Sequence, residues 1–160
     1  MERHKFYLKR IGNYICMSTI LAALFFGCSG KHLRVSDDNT MALCGCSPLP
    51  NCVSSTTWIL YNRTSPFEPA GPADAAWLKI KAVIRDMPRT EIVEENEVYI
   101  HAKCRSRVFR FVDHLELLLH PDLNRISVRS SSAIALWDLN VNRWRIYKLR
   151  KQLKEMHVIK

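Results

Sequence analysis

Residues 90–105 read TEIVEENEVYIHAKCR, and this stretch decides the fold class. Along its second half Val98, Ile100, Ala102 and Cys104 fall on one side, while Tyr99, His101, Lys103 and Arg105 fall on the other. A period of two belongs to a β-strand with one face on a core. The Asn96-Glu97 pair interrupts the run where a tight turn is needed, so Thr90 to Glu95 and Val98 to Arg105 are expected to form an antiparallel hairpin.

Working outward toward the C-terminus, Val108 to Val112 and Leu115 to Leu119 continue as one longer strand, or as a strand pair bent near Asp113. His120-Pro121-Asp122-Leu123-Asn124 has the composition of a turn, and Arg125 to Ser130 is another strand. A loop from Ser131 to Leu139 leads to a final helix from Val141 to about Met156, apolar at Ile146, Leu149, Leu153 and Met156, with Asn140 placed as its N-cap.

Toward the N-terminus, Pro72 suits a helix's first turn. Ala76, Trp77, Ile80, Val83, Ile84 and Met87 then recur at spacings of three and four, and Pro88 stops the run. Trp77 lies on that stripe and reads as a core anchor. The order helix, antiparallel strands, helix predicts an α+β domain: a two-layer arrangement of an antiparallel sheet of about four to five strands with two packed helices.

The segment before this domain is polar, turn-rich and without period. We assign residues 28–51 to a tether with a cysteine-rich turn and residues 52–160 to the single α+β domain; Trp58 to Pro69 is an extended lead-in. Cys44, Cys46, Cys52 and Cys104 allow three full pairings, and Cys46 with Cys52 is the expected disulfide in an oxidising compartment. Cys104 reads as a buried thiol. Structural zinc needs four ligands at recognisable spacings, which these residues do not supply, so no metal is expected.

Residues 1–27 carry an address. A basic start is followed by about twenty uncharged residues between Arg10 and Lys31, the layout of a signal peptide. The run ends Leu24-Phe25-Phe26-Gly27-Cys28-Ser29, which resembles a bacterial lipobox and makes Cys28 the candidate lipidated residue. An uncleaved membrane-anchor helix is the alternative, since about twenty apolar residues span a bilayer. Another exported form is the third possibility. The first two place the domain in the bacterial cell envelope, held to the membrane by a lipid anchor or an N-terminal helix.

The formal charge of +9 has two sources. The first ten residues contribute +3, leaving +6 for the rest, concentrated where Arg143, Arg145, Lys148, Arg150, Lys151, Lys154 and Lys160 face only Glu155. A solvated helix face explains much of this, and anionic headgroups are a further option. An exported chain is not expected to meet nucleic acid.

Polar groups are densest between Arg105 and Arg143. Arginines there suit carboxylate or phosphate, because a planar fork of donors binds two oxygens at once. Single arginines read as fasteners to Asp113, Glu116 or Asp138. As a set, Arg107, Arg129, Ser130, Ser132, Asn142 and Arg143, with Asp138 orienting an arginine, are the candidate pocket for an anionic small molecule or lipid headgroup, beside a helix N-terminus that favours anions. No nucleophile elbow, metal triad or phosphate loop is present, so no catalytic residue and no cofactor is assigned. A hydrolase using Asp113, Asp138 or His101 as a base is the weakest reading.

Six motifs resemble one family. Pro50-Asn51-Cys52-Val53-Ser54-Ser55, Pro88-Arg89-Thr90 with Ile92-Val93-Glu94-Glu95, Tyr99-Ile100-His101-Ala102, Arg105-Ser106-Arg107 with Phe111-Val112-Asp113, Val128-Arg129-Ser130-Ser131-Ser132 and Val141-Asn142-Arg143 run in order over roughly Cys46 to Leu153 and resemble the bacterial domain of unknown function 1499. The resemblance implies an exported or membrane-attached protein and no particular reaction. Where such sequences tend to carry Gly-Tyr-Ser-Asp, this chain has Ala135-Leu136-Trp137-Asp138, which removes any hydroxyl from positions 136 and 137. The function expected is a non-enzymatic binding or interaction module of the envelope, with an envelope protein or an anionic ligand as its partner.

Overall fold

The computed structural model describes residues 33–35, 40–108, 110–133 and 140–160. Two short strands come first, β1 (Leu33–Val35) and β2 (Met41–Leu43), paired antiparallel as a ribbon. They are followed by β3 (Cys52–Ser54), helix α1 (Ala73–Arg85), and strands β4 (Thr90–Glu95), β5 (Tyr99–Arg105), β6 (Val112–His120) and β7 (Arg125–Ser132). Helix α2 (Val141–Glu155) closes the fold. The sheet is antiparallel, in the order β3-β7-β6-β5-β4, so the α+β class with five strands and two helices is as the sequence predicts.

Alternation sets the two faces of the sheet. Ile100, Ala102, Leu115, Leu117, Leu119, Ile126 and Val128 join Trp77, Ile80 and Ile84 of α1 and Ile146, Leu149 and Leu153 of α2 in one buried cluster. Burying each of these large side chains contributes about 1.5–3 kcal/mol, which makes this layer the main source of stability. On the opposite face Leu43 of β2 buries against Tyr99 and Leu118, with Leu33 and Met41 packed beside them. The segment read as a tether therefore includes a ribbon that covers part of the sheet.

Two boundaries differ from the sequence reading. Val108, Arg110 and Phe111 do not extend a strand: Arg105 pairs with Val112, the Ser106 N–H donates to the Phe111 carbonyl at 2.9 Å, and β6 then runs unbroken through Asp113. The apolar letters Val108 and Phe111 belong to an exposed hairpin loop. The strand after the turn reaches Ser132, two residues beyond Ser130, because Ser131 and Ser132 pair with His114 and Asp113. The turn itself is a single 3₁₀ turn at Pro121–Leu123, ended by Asn124 in the left-handed region that asparagine tolerates.

Cys46 and Cys52 are disulfide-bonded, with Cα atoms 5.6 Å apart, while Cys44 and Cys104 are free and buried. The bond holds the start of β3. There the Asn51 carbonyl accepts the Ser132 N–H at 2.9 Å, fixing the edge strand to β7.

Candidate functional site

Beneath the first turns of α2 the helix face of the sheet becomes polar. Thr90, Cys104, Asp113 and Ser132 stand opposite one another in register across β4, β5, β6 and β7. Arg145 lies over this row. One of its terminal nitrogens donates to Asp113 Oδ2 at 2.5 Å, and the other to Ser130 Oγ at 2.9 Å and Asn142 Oδ1 at 2.7 Å. Asn142, three residues earlier on the same side of the helix, donates through Nδ2 to the Asn51 carbonyl at 3.0 Å and to Ser132 Oγ at 2.9 Å. Ser130 donates to Asn142 Oδ1 at 2.6 Å.

This network docks the helix start onto the sheet. The Arg145 and Asp113 side chains are only 10% and 5% exposed, so their attraction is set against a large desolvation cost, and neither charge can be left alone.

The other face holds a second buried chain. Tyr99 donates to Glu116 Oε1 at 2.7 Å, and Arg129 donates through Nη1 to Glu116 Oε2 and to Ser131 Oγ, both at 2.8 Å. Burial, reinforced by the Glu116 carboxylate, pushes the Tyr99 phenol far above its ordinary range, so it remains a protonated donor. Beside it His101 Nε2 and His114 Nδ1 are 2.8 Å apart. Burial, and then the neighbouring His101, lowers the His114 pKa.

A groove of about 690 Å³ opens between α2, the connection from α1 to β4, and the β5–β6 loop. Arg89, Arg105, Arg107, Arg145 and Lys148 line it, together with the apolar Met87, Val141, Trp144 and Leu149. Among the described residues no carboxylate lines it. Arg145 is held by Asp113, and Arg105 meets the exposed Glu91 at 3.3 Å. Arg107 and Lys148 have no ion pair among the described residues.

Arg89 sits at the rim with φ of 57°, a left-handed conformation costing about 1 kcal/mol for a side-chain-bearing residue. Two bonds hold it there: its carbonyl accepts the Arg105 N–H at 2.9 Å, and its Nε donates to the Arg105 carbonyl at 3.3 Å.

Cys104 forms part of the lining, and burial raises its thiol pKa. It is a protonated thiol rather than a thiolate nucleophile. Asp113 and His101 are buried, the one bonded to Arg145 and the other to His114.

The residues singled out from the sequence separate into four places. Ser130, Ser132 and Asn142 meet in the buried network. Arg129, adjacent to Ser130 in the strand, points to the opposite face and pairs with Glu116. Arg107 lines the groove. Arg143 donates to the Tyr61 and Arg63 carbonyls and so fastens the 60–63 turn to α2. Asp138 and Cys28 lie outside the described residues.

The groove's other contributors, Arg89, Thr90, Trp144 and Lys148, were not selected from the sequence. The helical period offers one signal, because Val141, Trp144, Arg145 and Lys148 recur at spacings of three and four along one side of α2.

A family model described as "Protein of unknown function (DUF1499)" matches residues 42–153, and the chain belongs to that family. No curated protein matches the chain, and no solved structure does.

Proposed function

We propose that this member of the DUF1499 family is a membrane-tethered, non-enzymatic binding module of the bacterial cell envelope, and that its groove takes an anionic ligand bearing phosphate or carboxylate. One observation carries the ligand class: five cationic side chains line the groove with no carboxylate among the described lining residues. Arginine forks and a lysine so placed give charge-assisted bonds to oxyanions, and Trp144, Val141 and Leu149 add an apolar wall for the rest of such a ligand.

The envelope assignment is supported by the basic start, the uncharged run and the lipobox-like end of residues 1–28. The Cys46–Cys52 disulfide suits an oxidising compartment.

Thermal unfolding in the presence of glycerol 3-phosphate, with glycerol as the uncharged control, tests the ligand class. The phosphate ester at a hundred times its Kd stabilises the protein by about 2.7 kcal/mol, and glycerol does not. A double substitution, Arg107→Ala with Lys148→Ala, removes most of that stabilisation while the unliganded protein stays folded. An unchanged shift in the variant, or no shift in the parent, rejects the proposal.

A further inference from the structure

We infer that the end of the domain around the start of α2 rests on an anionic bilayer surface. Trp58, Leu60, Val108, Phe111, Trp144 and Tyr147 are between 52% and 85% exposed. They belong to three neighbouring segments. Arg143 fastens the loop containing Leu60 to α2, while the groove brings the β5–β6 loop, through Arg107, beside Trp144. Trp144 and Tyr147 stack edge to face, 5.3 Å between ring centroids, on the outer side of the helix.

Cations flank these apolar groups: Arg107 and Arg110 in the loop, and Arg143, Lys148, Lys151 and Lys154 on the helix, where Glu155 is the one acidic residue, 3.8 Å from Lys151.

Scattered exposed apolar side chains need no explanation, but a cluster of them rimmed by charge marks an interaction surface. Its chemistry favours a bilayer. Tryptophan and tyrosine place an apolar body and a polar tip at a membrane–water boundary, and lysine and arginine extend their charge to the headgroups. Each basic residue near an anionic surface strengthens association by about fivefold. The uncharged run before residue 30 independently leads the sequence reading to a membrane. Arg107, Trp144 and Lys148 belong to both the groove and this surface, whereas Tyr147, Lys151 and Lys154 belong to the surface alone, so substitutions at Lys151 and Lys154 separate the two.

The full chain reconstituted into vesicles with brominated acyl chains provides the test, read by quenching of tryptophan fluorescence. Phosphatidylcholine alone serves as the reference against phosphatidylcholine mixed with phosphatidylglycerol, since an N-terminal anchor inserts into both. Quenching about twofold greater in the anionic vesicles is expected. Lys151→Glu with Lys154→Glu abolishes the excess while leaving the response to glycerol 3-phosphate intact. Equal quenching in the two lipids overturns the inference, as does an excess that survives the charge reversal. A crosslinker at position 147 that traps an acidic protein in cells, without lipid-dependent quenching, also overturns it. Because the charge reversal spares the groove, failure here leaves the ligand proposal standing.

Discussion

Arg145 belongs to two systems at once. Its guanidinium closes the buried row over Asp113, Ser130 and Asn142, and it also lines the groove. Arg145→Ala leaves the Asp113 carboxylate buried without its partner, and urea unfolding should register a loss of about 3–5 kcal/mol. Arg145→Lys keeps the charge but loses the fork that reaches three acceptors, so it should fall between parent and Ala. A near-neutral Ala variant would mean that Asp113 gains solvent or a new partner. At this scale the sequence was only partly legible. Polar density between Arg105 and Arg143 pointed to a real network, yet Arg129 and Ser130, adjacent in a strand, necessarily face opposite sides of a sheet. The single pocket expected from the sequence to hold both therefore does not form, because strand alternation separates them.

Strand β6 carries a pH dependence. His114 and His120 both have pKa values lowered from 6.5, in each case chiefly by burial, with His101 adding to the effect on His114 and Arg125 on His120. As pH falls below the ordinary histidine value, the unfolded chain takes up these protons before the folded one does. Stability is therefore full above that value, falls as pH drops through the window beneath it, and levels off once the folded histidines protonate. Melting temperature measured from about pH 7 to pH 5 should decrease, and His114→Gln should flatten the decrease. A profile unaltered by the substitution would remove His114 as a cause.

Elements differ in how much of themselves they show in sequence. The β4–β5 hairpin and both helices were legible, because each repeats its period several times. The β1–β2 ribbon was not, since three residues per strand give too little alternation to detect. Val108 and Phe111 looked like strand because both are β-prone and apolar, but their exposure reflects position in a hairpin loop. Composition alone does not reveal that.

At the scale of the whole molecule, the α+β class followed from the order of elements, whereas the groove did not. Its walls come from residues 87–90, 104–107 and 141–152, and only the folding of α2 back across the sheet brings them together. No local window contains it. The membrane proposal draws on two distant stretches of the chain, the uncharged run before Lys31 and the cationic, aromatic end of the domain. The ligand proposal rests on the groove alone.

The most direct test of that proposal is a titration of the full chain with glycerol 3-phosphate, followed by backbone amide chemical shifts. The predicted result is saturable change at Thr90, Ser106, Arg107 and Lys148, weakened by added salt as screening of the charges requires. Changes confined to Arg129, Ser131 and the opposite face of the sheet, or no saturable change at all, would contradict it.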